Sequence, residues 1–139
     1  MVSSKSVLIF LITILLLHFA ATFNYWYWTY LWLDIPMHFL GGFWTAMAFI
    51  YLILNYQFPI SGESLKRNLL SYFIIILSFV ALIGIFWEFY EFSNDIFLSS
   101  KNYTQIFQQG AADTMGDLFF DLLGGMVFAV IFKLFSRNI

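Results

Sequence analysis

Long apolar runs dominate the pattern of hydrophobic and polar positions along the chain. Four of them approach the roughly 20 residues that a helix needs to cross a bilayer, and polar residues collect between them. The runs cover residues 7–23, 36–56, 69–92 and 114–135. The pattern therefore predicts an all-α membrane protein, a four-transmembrane-helix bundle that forms a single integral membrane domain over residues 1–139.

The first run also shares features with a secretion signal. Lys5 precedes its apolar part, and Ala20 and Ala21 lie near its end. A cleaved signal peptide ends in a small-x-small sequence, whereas here the apolar stretch continues past the alanines. We therefore expect the first helix to be retained.

Two of the connections have a recognisable pattern. Residues 24–32 read NYWYWTYLW, and such amphipathic aromatic side chains typically lie at the level of the lipid headgroups. The longer connection, residues 93–112, places Tyr103, Ile106 and Phe107 at helical spacing, which suits a short amphipathic helix on the membrane surface. That helix is either a lid over a site or a surface element without a gating role, and we favour the second interpretation.

The basic residues predict the orientation of the bundle. Five of them lie at the ends that are cytoplasmic if both termini are inside, and one, Lys101, lies opposite. The five are Lys5, Lys66, Arg67, Lys133 and Arg137. We therefore expect a multi-pass protein of the plasma (inner) membrane with both termini cytoplasmic. The start of the second helix, the end of the third and the start of the fourth then lie on the external side.

Composition narrows the range of functions. The chain is 62% hydrophobic and only 10% charged, which is outside the range of soluble globular proteins and makes the lipid bilayer its first partner. A net charge of −2 with scattered basic residues leaves no basic face, so nucleic acid is not an expected partner. The absence of cysteine excludes disulfides, thiolate catalysis and cysteine metal sites. Any chemistry must therefore use carboxylates and imidazole.

Candidate chemistry starts with the acids of the fourth helix. Asp113, Asp117 and Asp121 are spaced four residues apart and therefore share one stripe of a helix. Ionisable groups inside a membrane span are costly, and they usually face a partner, a site or a pathway in the interior of the protein. This stripe therefore predicts partners on other helices.

Such partners lie at the same predicted depth on two neighbouring helices. His38 is one turn inside the second helix, and Glu88 and Glu91 lie near the end of the third. A rise of 1.5 Å per residue places His38, Glu88 and Asp117 roughly 6 Å inside the ends of their helices, and Asp121 roughly 12 Å inside. Small residues allow the backbones to approach closely; they are Gly41, Gly42, Gly84, Gly124 and Gly125. We therefore expect one buried cluster in the outer leaflet.

The second and fourth helices also share a sequence frame. Residues 34–42 and 117–125 both fit D-x-x-x-[HD]-x-L-G-G. The match is either the trace of a duplicated helix pair or an accident in a background rich in leucine and glycine. It supports convergence of the two helices only weakly.

The remaining polar residues have simpler interpretations. Asp34 and Asp113 either support the cluster or cap their helices, and capping is the preferred interpretation because both lie at predicted helix starts. We expect His18 to pack or snorkel rather than to join the cluster. Asp95 is expected to be solvated beyond the membrane edge.

The donor set favours a metal site. One imidazole with several carboxylates suits Mg, Mn, Fe or Zn, and a divalent metal ion would offset the repulsion among the acids. We expect His38, Glu88 and Asp117 to bind the metal, with Glu91 or Asp121 as general base. Without a metal, the same groups could share protons and form a relay.

Three blocks of the chain resemble the YjdF-like family of small bacterial inner-membrane proteins and, more distantly, VanZ-like proteins. The blocks are DIPMHF at residues 34–39, WEFYE at 87–91, and DTMGD at 113–117 with its following Gly-Gly pair. The resemblance covers roughly residues 34–130 and does not extend to the first helix. It implies a common site at these blocks, and the VanZ-like resemblance implies a role at the cell envelope.

Three functions fit these features. The leading hypothesis is a metal-dependent hydrolase or transferase that acts on a lipid or lipid-linked envelope precursor, with the aromatic block holding the headgroup. The second is a small proton- or cation-coupled transport protein, which is disfavoured because few polar residues continue toward the cytoplasmic side. The third is a structural or partner-binding membrane protein whose acids pair for helix packing.

Overall fold

The computed structural model describes residues 2–56, 68–99, 107–108 and 110–136. Within these ranges the regular structure is entirely helical, and four helices are long and apolar enough to cross a membrane. In chain order the elements are α1 (Ser4–Phe23), the short α2 (Trp26–Thr29), a 3-10 turn (Leu31–Leu33), α3 (Asp34–Asn55), α4 (Leu69–Ser99) and α5 (Ala111–Ser136). The predicted all-α architecture with four spans is confirmed.

The bounds differ from the sequence-based expectation mainly in α4. This helix continues past Phe92 to Ser99, because neither glycine nor proline interrupts the chain there. The first part of the expected loop, residues 93–112, is therefore helical. The amphipathic helix expected around Tyr103 and Ile106 lies outside the described residues.

The charge-based orientation also depends on residues outside the described ranges. These are Lys66, Arg67, Lys101 and Arg137. The cytoplasmic location of the two termini therefore stays a prediction.

Contacts along the helices define their directions. The rings of Phe43 on α3 and Phe128 on α5 lie 4.9 Å apart, and His38 lies beside Asp121, so these two helices run parallel. The hydroxyl of Tyr72 near the start of α4 donates to the carbonyl of Ala129 near the end of α5 at 2.9 Å, which makes this pair antiparallel. The sequence frame shared by the second and fourth helices thus lies on two parallel, adjacent helices.

The helix α1 packs antiparallel against α3 at one side of the bundle. The indole N–H of Trp44 donates to the carbonyl of Val7 at 2.9 Å, and Phe10 stacks on Phe43 at 5.5 Å. Only Ala21 of α1 is fully buried. Most of its leucine and isoleucine side chains are exposed, as expected for a helix that faces lipid.

An apolar core fills the half of the bundle near the end of α3. Ile76 and Val80 of α4 are almost completely buried, and Phe49 stacks on Phe79 at 4.2 Å. The other main buried members are Ala46, Ile50, Ile53, Tyr72, Phe128 and Ala129. This core fills the bundle between the end of α3 and the level of His38.

Two glycines determine how closely α3 and α5 approach. A Cβ atom on Gly42 would overlap the backbone carbonyl of Asp121, and one on Gly124 would overlap the carbonyl of Phe39. On the α4 side, a Cβ on Gly84 would lie 2.7 Å from a carboxylate oxygen of Asp121. The expectation that small residues bring the polar helices together is confirmed.

Candidate metal centre

Five buried polar side chains meet at one level of the bundle. They come from α3, α4 and α5, and each is only 4% to 6% exposed. The five, which we name the His38 cluster, are His38, Glu88, Glu91, Asp117 and Asp121. The structure therefore brings together every residue that the sequence assigned to the site.

His38 lies at the centre of the cluster and contacts carboxylates through both ring nitrogens. Its Nε2 is 3.6 Å from Oδ1 of Asp34 and 3.8 Å from Oδ1 of Asp117. Its Nδ1 is 3.4 Å from Oδ2 of Asp121. The imidazole thus connects α3 to the parallel helix α5 through Asp117 and Asp121, and it also contacts Asp34 of its own helix.

The two glutamates of α4 are each oriented by a neighbouring donor. The side-chain amide of Gln108 donates to Oε2 of Glu88 at 2.9 Å, and the indole N–H of Trp87 donates to Oε1 of Glu91 at 2.9 Å. Within the described ranges, neither Oε1 of Glu88 nor Oδ2 of Asp117 has a hydrogen-bond partner. Buried polar atoms are normally paired, so these two oxygens are free to accept a proton or to bind a ligand.

The ligand atoms form two overlapping groups around His38. Asp34, His38 and Asp117 make one group, and His38 makes the other with Glu88 and Glu91; the atoms of each group lie within 4.8 Å of one another. The expected ligands His38, Glu88 and Asp117 are therefore drawn from both groups.

Electrostatic repulsion within the cluster is substantial. If two carboxylates within 4.8 Å of each other were both ionised, they would repel each other by at least about 3.5 kcal/mol at an effective dielectric constant of 20. The described basic side chains Lys5 and Lys133 lie toward the other end of the bundle, where Lys133 sits 5.1 Å from the ring centre of Tyr72. A divalent cation between the acids would remove this repulsion.

The expectation that Asp34 caps the second helix was wrong. Leu33 is the N-cap residue of α3, and no side chain caps this helix end. The preceding 3-10 turn runs directly into the helix, so Asp34 already has helical dihedral angles (φ −62°, ψ −43°). Its half-buried carboxylate instead faces His38. Asp34 thus belongs beside the cluster.

Asp113 lies in the first turn of α5 rather than at the position before the helix. Its backbone N–H donates to the carbonyl of Gly110 at 3.0 Å. A carboxylate in the first turn is favoured by the helix dipole. It supports the start of the helix that carries Asp117, although it does not occupy the N-cap position.

Asp95 has a structural role that the sequence did not reveal. Its two carboxylate oxygens accept the backbone N–H groups of Phe107 at 2.7 Å and Gln108 at 2.9 Å. The expectation of simple solvation was therefore wrong, because the extension of α4 brings Asp95 to this segment. The contact positions Gln108, which in turn holds Glu88.

A cavity of about 170 Å³ adjoins the cluster. His38, Glu91, Asp121 and Asp34 form one wall, and α1 and α2 contribute to the opposite wall. Glu88 and Asp117 lie outside the lining. The cluster therefore has one side packed in the bundle and one side open to the cavity, as catalytic metal sites require.

His18 contributes to the wall opposite the cluster. Its Nδ1 lies 2.9 Å from the hydroxyl of Tyr27, and its ring makes an edge contact with Trp87 at 5.5 Å. It packs as expected and also lines the cavity, which the sequence did not predict. A left-handed turn at Tyr25 (φ 59°) reverses the chain between the two residues.

Tyr27 presents a neutral hydroxyl to this part of the protein. Burial raises the pKa of Tyr27 above its ordinary value, and the charges of Asp34 and Glu91 raise it further. The sequence did not single out this tyrosine from the aromatic block. The sequence did contain one feature that could have indicated the His18–Tyr27 pair: a histidine near the end of an apolar helix, just before an aromatic block.

Comparison with known proteins places the chain in a family. The sequence model of a family described as predicted membrane protein (DUF2238) matches residues 2–138. The chain belongs to the DUF2238 family. An uncharacterized protein of Thermotoga maritima is 35% identical to this DUF2238 chain over 98 residues, which are 70% of the chain and 46% of that relative. The chain thus spans about half the length of the curated relative that it matches. No solved structure matches it.

Family membership supports a multi-pass membrane location for this DUF2238 protein. It is compatible with the YjdF-like resemblance of the three blocks, whereas the VanZ-like resemblance stays a prediction. The arrangement of one imidazole and several carboxylates beside a cavity suits a hard or borderline divalent ion. The same arrangement leaves Glu91 available for proton transfer on the cavity side.

Proposed function

We propose that this protein is a membrane-embedded, metal-dependent hydrolase or transferase that acts on a lipid or lipid-linked substrate. One observation carries the proposal. A buried histidine is surrounded by carboxylates from three helices, two of whose oxygens have no partner among the described residues, and a cavity adjoins this group. Such a group is stable when a cation completes it and is costly otherwise.

His38 and Asp117 are the proposed central ligands. Asp34 shares their group, and Glu88, whose Oε1 has no partner among the described residues, belongs to the second group around His38. Nitrogen and oxygen donors of this kind suit Mg, Mn, Fe or Zn. A divalent ion held by these residues would supply Lewis-acid polarisation of a phosphoryl or carbonyl oxygen of the substrate.

The contacts favour different roles for the two candidate bases, Asp121 and Glu91. Asp121 lies 3.4 Å from Nδ1 of His38, which is the position of a residue that orients a metal-binding imidazole. Glu91 lines the cavity and has its Oε1 held by Trp87. We therefore assign proton transfer to Glu91 and the positioning of His38 to Asp121.

The location of the cavity supports a lipid substrate. It lies between candidate membrane spans and is lined mainly by apolar side chains. Tyr27 and Trp28, from the aromatic block, form part of its wall. If both termini lie on the cytoplasmic side of the plasma membrane, as the basic residues predict, the site faces the external leaflet. This location agrees with the cell-envelope role that the VanZ-like resemblance implies.

The apolar core argues against cation transport. Beyond the cluster, Ile76, Val80 and Ala129 are buried, and the described residues there form a continuous apolar layer. A proton or cation path would have to cross this layer without any buried carboxylate or imidazole among the described residues. A purely structural role for the acids leaves the two unpaired oxygens and the cavity without an explanation.

Metal analysis of the purified protein tests the proposal. We expect about one divalent ion per chain, and loss of that ion in His38→Ala and Asp117→Ala. His18→Ala is the matched control, because it removes the other histidine of the cavity wall. Absence of a bound ion in the wild type, or unchanged occupancy in both cluster variants, would contradict it.

The activity is tested with membrane lipids. Purified protein incubated with inner-membrane lipid extract should form a product, detected by mass spectrometry, that requires the divalent ion. Glu91→Gln should retain the ion and lose product formation, which separates proton transfer from metal binding. Product formation at the wild-type rate by Glu91→Gln would contradict its assigned role.

A further inference from the structure

The cavity beside the His38 cluster has two chemically different ends. Toward the loops, its walls are the aromatic rings of Tyr27, Trp28, Trp87 and Phe107. Toward the core, its walls are mainly aliphatic, with Leu11, Ile14, Val80 and Ile83; Trp44 and Thr45 of α3 also contribute there. A ligand that fills it must therefore offer a surface suited to aromatic faces near the cluster and an apolar surface farther in.

The aromatic end is strongly acidic. Asp34, Glu91 and Asp121 contribute carboxylates to the lining, and Glu88 and Asp117 lie behind them. Among the described residues that line the cavity, none is lysine or arginine. The local field therefore favours a positively charged ligand group.

The rings are held in fixed positions around this end. Trp87 is fixed by its bond to Glu91 and by its edge contact with His18. Trp28 makes an edge contact with Phe107 at 5.5 Å. Fixed aromatic faces next to carboxylates are the surroundings in which proteins bind quaternary and primary ammonium groups.

The volume of the cavity limits the size of the group. At about 170 Å³ it is close to the ~150 Å³ of an engineered cavity that holds benzene. It therefore takes an ammonium group with a short carbon stem, and it is too small for a whole lipid chain.

We infer that this cavity binds an alkylammonium group, held between the aromatic rings and the carboxylates of the cluster wall. The inference deepens the proposed function, on which it rests for its link to catalysis, because it names the headgroup chemistry of the substrate. In a zwitterionic phospholipid the phosphate lies two carbons from the ammonium group. The same headgroup would therefore offer its ammonium group to the cavity and its phosphate to a divalent ion held by His38 and Asp117.

Binding of choline to metal-depleted protein tests the inference. The protein is placed in nanodiscs of phosphatidylglycerol, which carry no ammonium lipid, and titrated calorimetrically. The neutral isostere 3,3-dimethylbutan-1-ol is titrated in parallel. Choline should bind about tenfold more tightly than the isostere, because only the cation gains from the rings and the carboxylates. Equal or tighter binding of the isostere would overturn the inference.

Matched tryptophan variants locate the binding site. Trp87→Leu should weaken choline binding about tenfold, whereas Trp32→Leu should not change it, because Trp32 is 64% exposed and does not line the cavity. Glu91→Gln, which keeps the side-chain shape, serves as the second variant if Trp87→Leu does not fold. Wild-type affinity in the folded Trp87 or Glu91 variant would refute the assigned position.

Asp117→Asn separates this inference from the proposed function. Asp117 is a proposed metal ligand that does not line the cavity, so its variant should lose the metal and keep choline binding. A wild type that binds metal but not choline contradicts the inference alone. A wild type that binds choline but no metal contradicts the proposed function alone.

The lipid composition of the nanodisc identifies the source of the ammonium group. If phosphatidylethanolamine is added to the nanodiscs, a lipid headgroup that occupies the cavity lowers the apparent affinity for choline. Unchanged affinity assigns the site to a soluble amine. Both results are compatible with an ammonium site. The titration of choline against the neutral isostere is the measurement that can refute that site.

Discussion

The contact between α3 and α5 should control metal binding through a single glycine. A Cβ atom on Gly124 would lie 2.9 Å from the carbonyl carbon of Phe39 and 2.9 Å from the amide nitrogen of Phe43, in addition to overlapping the carbonyl oxygen of Phe39. All three atoms are backbone, so no side chain can rotate away. The substitution Gly124→Ala must therefore push the two helices apart.

The size of that displacement can be worked out from the geometry. Real Cβ atoms essentially never approach another atom closer than 3.0 Å, so relief of the overlap separates the helices by roughly 1 Å in this tightly packed region. Metal ligands tolerate only about 0.2 Å of displacement. Because His38 is on α3 and Asp117 is on α5, we expect the metal to be lost. Overpacking of this kind also lowers the free energy of unfolding by about 1 to 3 kcal/mol.

Gly116→Ala is the matched control on the same helix. No atom lies within 4 Å of a Cβ placed there, and alanine in a helix interior is more favourable than glycine by about 1 kcal/mol. Metal content and thermal unfolding in detergent should both be measured for the two variants. Gly116→Ala should keep its metal and unfold at the same temperature as the wild type or at a higher one. Wild-type metal content and unfolding temperature in Gly124→Ala would refute the packing argument.

Three further substitutions test individual contacts. Asp121→Asn should lower metal affinity about 10- to 100-fold in a Mn²⁺ titration, because it disturbs the orientation of His38; unchanged affinity would remove Asp121 from its positioning role. Tyr72→Phe deletes the hydrogen bond to Ala129 at the other end of the bundle. It should reduce the free energy of unfolding by about 0.6 kcal/mol and leave metal content unchanged. Metal loss in this variant would show that the metal site depends on packing at that end of the bundle. Tyr27→Phe removes the bond to His18 and should lower stability by about 1 kcal/mol without metal loss; a change in metal content would place Tyr27 among the metal-binding groups.

The membrane spans and the buried acids could be predicted from the sequence because each has a strong local signal. Apolar runs of bilayer length define the helices, and ionisable residues inside them are rare enough to indicate an interior site. Helical spacing and depth then placed His38, Glu88 and Asp117 at one level. The structure shows that all three are buried together.

The parts that could not be predicted depend on contacts between distant segments. Asp34 precedes a proline by two residues, which favours a cap, but the 3-10 turn before α3 makes it helical and directs its carboxylate to His38. Asp95 lies only one turn after Glu91, but its contact with Gln108, thirteen residues further along the chain, has no local signal in the sequence. The pairing of His18 with Tyr27 requires a chain reversal at Tyr25. Asn24, the C-cap residue of α1, signals that the helix ends there but not which side chains the reversal brings together.

The assignment of ligands to one ion also depends on geometry rather than on spacing. Depth along the helices cannot separate the group that contains Asp34 from the group that contains Glu88, because both surround the same imidazole. Asp34→Asn and Glu88→Gln, compared side by side for metal affinity, distinguish the two groups.

The central claim is that His38 binds a divalent ion between α3 and α5. An anomalous difference map of crystals grown with Mn²⁺ tests it most directly. We predict one peak roughly 2.0 to 2.3 Å from Nε2 of His38 and from a carboxylate oxygen of Asp117. A map of well-occupied crystals with no peak at His38, or with a peak only at surface carboxylates, would contradict the account.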